Sequence, residues 1–544
     1  MLQTRKPSIL PPQVFYMLAG ILLIRLIAIF IMGPMPQDAY YFFYASHPSL
    51  SYFDHPPAIA WLIRISTGVL GTNPMAIKFG DSLLTAFTSL AVYRLSLRFY
   101  PVFQSIKVIV IFLSTLMVSI LSLISTPDTP LLFFWTLSLC KIHDAVFKDR
   151  KINWIYAGIL MGLAFDSKYT AVFLPVGMML FLLISPSMRK KLFTIWPWLA
   201  ILIMILVSSP VIIWNFGNGF ASFAFQGSKR MDSVAQLQFH PRFIFGLLGH
   251  QLALLIPVLF VFLFRSFFLI FRPKERGRIV FSDKNAFLLA FFLPIFLGFL
   301  MLSPFYWIKI NWMMPAYISG IILASGIMEN RWVRIQTIIS LVIHAGLLCE
   351  IVFYPFPVRS DDTWVGWKEL NEKTQMLKKQ YKADFIFSAD SYKTSAELNL
   401  YSPLFVYGQN VIGEHALHFS YIGTDLSVLN GKCAIFLDSQ PGFTDLDKAS
   451  DNPLTLENYF SSIRQLSPIV IYRNAKPVRK FLVYLCHLYR PGKELNAEGK
   501  GPFRHDEKHT EKLRVENYPS ATISTPQTFT AIPDTTLALE NNQR

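Results

Sequence analysis

Long apolar runs separated by short polar breaks fill the first two thirds of the chain. A bilayer core takes about 20 apolar residues per helix. Runs of that kind lie at 13–32, 79–97, 105–124, 130–147, 152–165, 169–184, 192–213, 243–270, 285–302, 312–328 and 335–354. The pattern predicts about eleven transmembrane helices, the fifth and sixth of them short. The run 57–70 is also short and carries Arg64, so it reads as a helix lying along the membrane surface. After residue 355 the pattern changes to frequent charges and short alternating runs. Phe385–Phe387, Leu404–Tyr407 and Ala434–Leu437 read as strands, and Trp367–Tyr381 reads as a helix. The expected organisation is a membrane domain at 1–357 and a small α/β domain at 358–490. From 491 to 544 the chain mixes Glu, Lys, Thr, Pro and Asn without apolar periodicity, which reads as a disordered tail.

The polar breaks carry a second signal. Lys and Arg collect on every second connection: Arg5 and Lys6, Arg98 and Lys107, Lys148 to Lys151, Arg189 to Lys191, Arg272 to Lys284, and Arg331 with Arg334. Such residues accumulate on the cytoplasmic side of a membrane. The N-terminus is therefore expected in the cytoplasm and the α/β domain on the external face. The first run has no small-residue cleavage site and reads as a retained anchor.

Composition agrees with a chain whose main solvent is lipid. Hydrophobic residues make up 53% of the 544 residues and charged ones 15%, against about 25% charged in soluble domains. Mean hydropathy is +0.41. The net charge of +16 is spread over the ends of apolar runs rather than gathered on a polar domain, which argues against nucleic acid as a partner. With 4 cysteines there is no disulfide scaffold or zinc framework. Cys140 and Cys349 lie in apolar runs, and Cys433 could pair with Cys486 in an oxidising compartment.

The connections on the other side, expected to be external, hold Asp38, Asp54, His55, Asp128, Asp166, Lys168, Lys229, Arg230, Asp232, His240 and Lys309. Loops are polar partly because they are wet. Wetness explains less well why acids recur beside aromatics and prolines in Gln37-Asp38-Ala39-Tyr40-Tyr41 and Tyr52-Phe53-Asp54-His55-Pro56-Pro57.

An ordered series of motifs carries a family likeness: QDAYYFFYASHPSLSYFDHPPAIAWLIR, LISTPDTPLLFFW, FDSKYTAVFLP, SPVIIWNFGNGFASFAFQ, KINWMMPAYIS and ADSYKTSAELNLYSP. Over roughly residues 10–440 the chain resembles the polyprenyl-phosphate-sugar-dependent glycosyltransferases of the GT-C fold. The likeness is greatest to the bacterial branch related to protein mannosyltransferases and to the aminoarabinose and galacturonosyl transferases of lipid A. The resemblance implies a sugar donor on a polyprenyl phosphate and an acceptor that is lipid A, another glycan or a protein. It further implies inverting transfer at the external face of a bacterial inner membrane. The family opens its first outer loop with two adjacent acids, whereas here the first place is Gln37 and only Asp38 is acidic.

Transfer from a lipid phosphate needs a base for the acceptor hydroxyl, a cation for the leaving phosphate and reactants held in line. Asp38, at the end of the first span, is the first candidate for the base, with a helix cap as its plain alternative. Asp54 is the second candidate. In lipid A-modifying relatives an acid at its place helps hold a divalent metal or the phosphate, so Asp54 with His55 is a candidate metal pair, with His240 and His250 as possible partners. Tyr40, His55, Lys168, Tyr169, Lys309 and Asn311 are the candidate substrate-binding set. Lys168 suits a phosphate or an ion pair with Asp166, Arg25 within the first span must face protein or phosphate, and Asp128 suits a helix cap. Two readings compete with transfer: a transporter or flippase of lipid-linked sugars, and an inactive family member, which Gln37 keeps in view.

Overall fold

The computed structural model describes residues 10–227, 238–271, 282–442 and 454–491. Arg5, Lys6, Lys229, Arg230, Asp232, the basic run 272–278 and the tail from 492 lie outside the described residues. The apolar runs fold as helices: α1 (Pro12–Ile31), α2 (Pro36–Ser46), α3 (Ala58–Leu70), α4 (Pro74–Ser96), α5 (Val102–Leu113), α6 (Leu116–Leu123), α7 (Asp128–Phe147), α8 (Ile152–Phe165), α9 (Phe173–Ile184), α10 (Ile195–Val207), α11 (Ser209–Gly217), α12 (Ala221–Gln226), α13 (Pro241–Leu255), α14 (Pro257–Phe271), α15 (Asp283–Leu302), α16 (Met314–Ser325) and α17 (Asn330–Phe353).

Every expected run falls on helix, but the runs do not make eleven straight spans. Among the described residues, α1, α4, α7, α15 and α17 are each long and apolar enough to cross a bilayer. Three more crossings follow if each bent pair is one span: α5 with α6 at 64°, α10 with α11 at 51°, and α13 with α14 at 110°. The run 243–270, expected as one helix, is thus a sharp corner. Its cause is local. Ile256 takes a left-handed φ of 66°, and Pro257 has no N–H to continue the ladder of α13 and disfavours helical backbone in the residue before it.

Helix packing in the bundle relies on small residues where backbones approach. Gly158 and Gly162 lie one turn apart on α8 and face α10. A Cβ at Gly158 would stand 2.6 Å from the Ala200 carbonyl oxygen, and one at Gly162 would stand 2.5 Å from Val207 Cβ. This small-xxx-small spacing lets two apolar helices touch along their backbones without any help from water.

The polar C-terminal part folds around α18 (Trp367–Gln380), α19 (Lys393–Tyr401) and five strands: β1 (Phe385–Ser388), β2 (Val406–Tyr407), β3 (Ala434–Ser439), β4 (Phe460–Arg473) and β5 (Lys476–Tyr489). The sheet order is β2-β1-β3-β5-β4. β1 runs parallel to β2 and β3, and β5 runs antiparallel to β3 and β4. The run 404–407 is strand only at Val406 and Tyr407. The long β4–β5 hairpin is absent from the sequence-based expectation. Its turn is Asn474-Ala475, both left-handed at φ 48° and 61°, the backbone a two-residue hairpin demands. Cys433 and Cys486 are free thiols, and Cys433 Sγ lies 3.4 Å from His487 Nδ1.

The small domain meets the membrane domain along α2, where α19 packs. The Tyr392 ring stands 4.2 Å from Tyr40, and Phe419 stacks on Phe43 at 4.1 Å. Gly162→Val should push α8 from α10 and lower stability by about 1–3 kcal/mol, the usual cost of overpacking. Thermal unfolding of the detergent-solubilised chain measures it.

Candidate active site

The site is assembled where α1 ends and the chain turns into α2. Asp38 is the third residue of α2, and its carboxylate reaches back to accept the Met35 N–H at 2.7 Å. An acid at this position closes the open donors of a helix start and meets the positive end of its dipole. The second oxygen accepts the Ser125 N–H at 2.6 Å, and Lys78 Nζ of α4 lies 3.0 Å away with both side chains fully buried. Lys78 also donates to the Gly33 carbonyl at 2.8 Å, and Ser125 Oγ donates to Asp81 at 2.8 Å. Asp38 is therefore held by three donors and has no exposed surface. These contacts make Asp38 a joint between α2, α4 and the loop before α7.

Asp54 stands differently. It lies in the loop between α2 and α3, ahead of Pro56-Pro57. Tyr40 Oη donates to its Oδ1 at 2.8 Å, and Tyr44 Oη donates to the same oxygen. Tyr40 and Tyr44 are one helical turn apart, so α2 offers both hydroxyls on one face. Burial raises the Asp54 pKa above the ordinary carboxylate value, opposed by the two tyrosine hydrogen bonds and the charge of Lys309. Burial and the nearby Asp54 charge push both tyrosine pKa values up, so the hydroxyls stay protonated as donors. The other oxygen, Oδ2, faces His55 Nε2 at 4.0 Å.

A cleft of about 250 Å³ opens beside His55. Its polar wall is His55, Lys168, Tyr169 and Gln226, and its apolar wall includes Phe173, Phe299, Leu302 and Trp312. Lys168 Nζ pairs with Asp128 at 2.8 and 2.9 Å to its two oxygens, and Asn311 Nδ2 donates to the same carboxylate at 2.6 Å. Lys168 thus pairs with Asp128 and not with Asp166. Asp128, in the first turn of α7, anchors two other candidates as well as starting a helix. Tyr169 Oη shares a 2.5 Å hydrogen bond with Ser222. Lys309 is exposed and acts on Asp54 through its charge. Arg25 faces protein: it donates to Val118 O at 2.8 Å and to Ser122 Oγ.

Three contributors escaped the sequence reading. Tyr44 was legible as the residue one turn beyond Tyr40. Gln226, whose Nε2 donates to the Asp54 carbonyl at 2.6 Å, closes the motif SPVIIWNFGNGFASFAFQ without being singled out there. Asp362, from the segment before α18, accepts Gln37 Nε2 at 2.9 Å and pairs with Lys393 at 3.1 Å.

Among the described residues no group of three or more His, Cys, Asp or Glu lies together as a metal cage. His240 and His250 do not join Asp54: the His240 N–H donates to Pro304 O at 2.8 Å, and the His250 ring meets Trp307 at 5.3 Å. Two donors on one ion sit roughly 3–3.5 Å apart when both bonds are about 2.1 Å. Asp54 and His55, at 4.0 Å, stand wider than that, so a shared ion needs one of the two side chains to shift.

The family profile for dolichyl-phosphate-mannose-protein mannosyltransferases matches residues 54–214, a stretch that runs from Asp54 through Asp128 and Lys168. In overall structure the chain is similar to ArnT from Cupriavidus metallidurans bound to undecaprenyl phosphate, with TM-score 0.57 and 13% identity over 91% of this chain and 100% of that one. The chain has the GT-C glycosyltransferase fold. It is an integral membrane protein of that fold. By sequence it is 23% identical to the lipid A galacturonosyltransferase RgtD of Rhizobium johnstonii over 54% of this chain and 61% of the relative. It is 26% identical to an undecaprenyl phosphate-alpha-4-amino-4-deoxy-L-arabinose arabinosyl transferase of Pectobacterium atrosepticum over 30% of each chain. These matches span less than two thirds of either relative's length.

The joint in this GT-C bundle makes a clear prediction. Lys78→Met leaves the Asp38 charge buried without its partner and should cost about 3–5 kcal/mol. The readout is the thermal midpoint, and replacing both residues together (Asp38→Asn with Lys78→Met) should recover much of the loss.

Proposed function

We propose that the protein transfers a sugar from a polyprenyl-phosphate donor to a hydroxyl of a glycolipid, glycan or protein acceptor, in a single inverting displacement at the external face of a bacterial inner membrane. A lipid A-type glycolipid is the favoured acceptor, because the sequence relatives include enzymes named for lipid A and aminoarabinose transfer. The observation that carries the reading is Asp54. It is a desolvated carboxylate held by two tyrosine hydroxyls, next in sequence to His55 on the wall of a cleft shared with Lys168 and Tyr169.

In this reading Asp54 takes the proton as the acceptor oxygen attacks the anomeric carbon. The bond from that carbon to the phosphate oxygen breaks with its electron pair, and polyprenyl phosphate leaves. A base works best with its pKa near the operating pH, and burial moves Asp54 in that direction. Lys168 has three N–H donors, two of them on Asp128, which leaves one for a phosphate oxygen. Lys309 adds a second positive charge on the solvent side. Tyr40 and Tyr44 position Asp54; His55, Tyr169 and Asn311 bind substrate, and the apolar wall receives the lipid. A divalent ion at Asp54 and His55 would offset the charge of the donor phosphate. Asp38, the other carboxylate first read as a base, is assigned to positioning α2.

The competing transporter reading draws on the broken pairs α10–α11 and α13–α14, a feature of carriers. Against it, the polar groups gather at one end of the bundle. The orientation, with the small domain external, rests on the charge alternation of the connections.

Purified protein, given a labelled polyprenyl-phosphate sugar and lipid A, should release polyprenyl phosphate only when acceptor is present. Transbilayer movement of intact donor would favour a carrier, and neither outcome an inactive member. Asp54→Asn should lose about 10²–10⁴-fold in turnover, the scale of general base catalysis, with an unchanged thermal midpoint. Full turnover would remove Asp54 from its role. A base works deprotonated, so the rate should fall as pH drops, with a midpoint above the ordinary aspartate value of about 3.9. EDTA treatment should slow turnover and added magnesium restore it; indifference to both would dispose of the metal.

A further inference from the structure

A second cleft, of about 340 Å³, lies between α5 and α17. It is at the end of the bundle opposite the candidate active site. α4 and α7 begin near Lys78 and Asp128 and end near Arg98 and Asp144, which pair at 2.7 Å. α16 starts just after Asn311 and ends at Ser325. Gln104 Nε2 donates to Ser325 O at 2.6 Å, and Lys107 Nζ donates to Met328 O at 2.7 Å. The first turns of α5 therefore sit against the end of α16 and the start of α17.

This arrangement places two helix starts at one level, running the same way. Phe103, Lys107 and Val110 line the cleft from α5, and Arg334 and Ile338 line it from α17. The spacing is that of single helix faces. The mouth is positive on two counts. Both helix dipoles point their positive ends toward it, and Lys107 and Arg334 add whole charges. The nearby acid, Glu329, is taken by Arg331 at 2.9 Å. Farther along both helices the wall is apolar. The cleft opens sideways, where Phe103 is 71% and Ile338 54% exposed, on helices that count among the candidate spans.

We propose that this cleft binds an anionic phospholipid of the leaflet opposite the active site. Its phosphate lies between Lys107 and Arg334, and one acyl chain runs along Val110 and Ile338. A free anion would leave the apolar wall unused, and an apolar protein segment would leave the two cations unused. Basic pockets between transmembrane helices recognise lipid headgroups in this way. The proposal does not depend on the glycosyl-transfer reading.

The test is native mass spectrometry of the full chain in detergent, with phosphatidylglycerol and phosphatidylcholine of identical acyl chains. Phosphatidylglycerol should be retained preferentially, and less so as ionic strength rises. Lys107→Gln and Arg334→Gln should each weaken retention about fivefold and together about thirtyfold, the scale of one interfacial cation apiece. The charge-keeping pair Lys107→Arg and Arg334→Lys should retain most of it and shows that loss does not come from misfolding. Equal retention of the two lipids overturns the proposal. So does native retention in the double Gln variant, or equal competition by free glycerol phosphate.

Discussion

The buried pair of Asp38 and Lys78 is the constraint from which the rest of the site follows. Neither side chain sees water, so each must be satisfied by protein. The pair draws in the Met35 and Ser125 N–H groups and the Gly33 carbonyl. Through these contacts, one ion pair fixes the start of α2, the first turn of α4 and the loop before α7. A buried ion pair is not by itself a source of stability. Its value here is geometric: it allows one rotation of α2, and that rotation presents Tyr40 and Tyr44 to Asp54.

Two carboxylates only sixteen residues apart thus acquire opposite characters from their surroundings. Asp38 accepts from backbone donors and a lysine and has no exposed surface. Asp54 accepts from neutral hydroxyls and keeps one oxygen toward His55, which lines a cleft. Two places that look equivalent in a motif differ once the number of donors around each is known. Asp128 supplies a third pattern, since it holds Lys168 and Asn311 at fixed positions.

Much of this was legible in the chain. The eleven apolar runs all fall on helix, because lipid solvation leaves little freedom in how such runs fold. The convergence of His55, Lys168 and Tyr169 on one cleft follows from the alternation of polar connections. What stayed hidden depends on contacts distant in sequence. The Asp128–Lys168 pair spans forty residues, so Asp166, two residues from Lys168, looked the nearer partner. The bend at Ile256 hides inside an unbroken apolar run whose only local mark is Pro257. The β4–β5 hairpin turns at Asn474-Ala475, which lacks the glycine that usually announces such a turn. Gln37 lacks the acid its motif leads one to expect, and it meets Asp362, an acid from the segment before α18.

The cover over α2 has a consequence for biosynthesis. The face of α2 that carries Tyr40 and Phe43 is closed by Tyr392 and Phe419, which the ribosome adds some 350 residues later. Until then the tyrosine helix waits at the membrane surface with an aromatic flank bare, although the pair that orients it is complete once Ser125 has emerged. The residues that orient α2 are therefore all made early in the chain, and those that enclose it late.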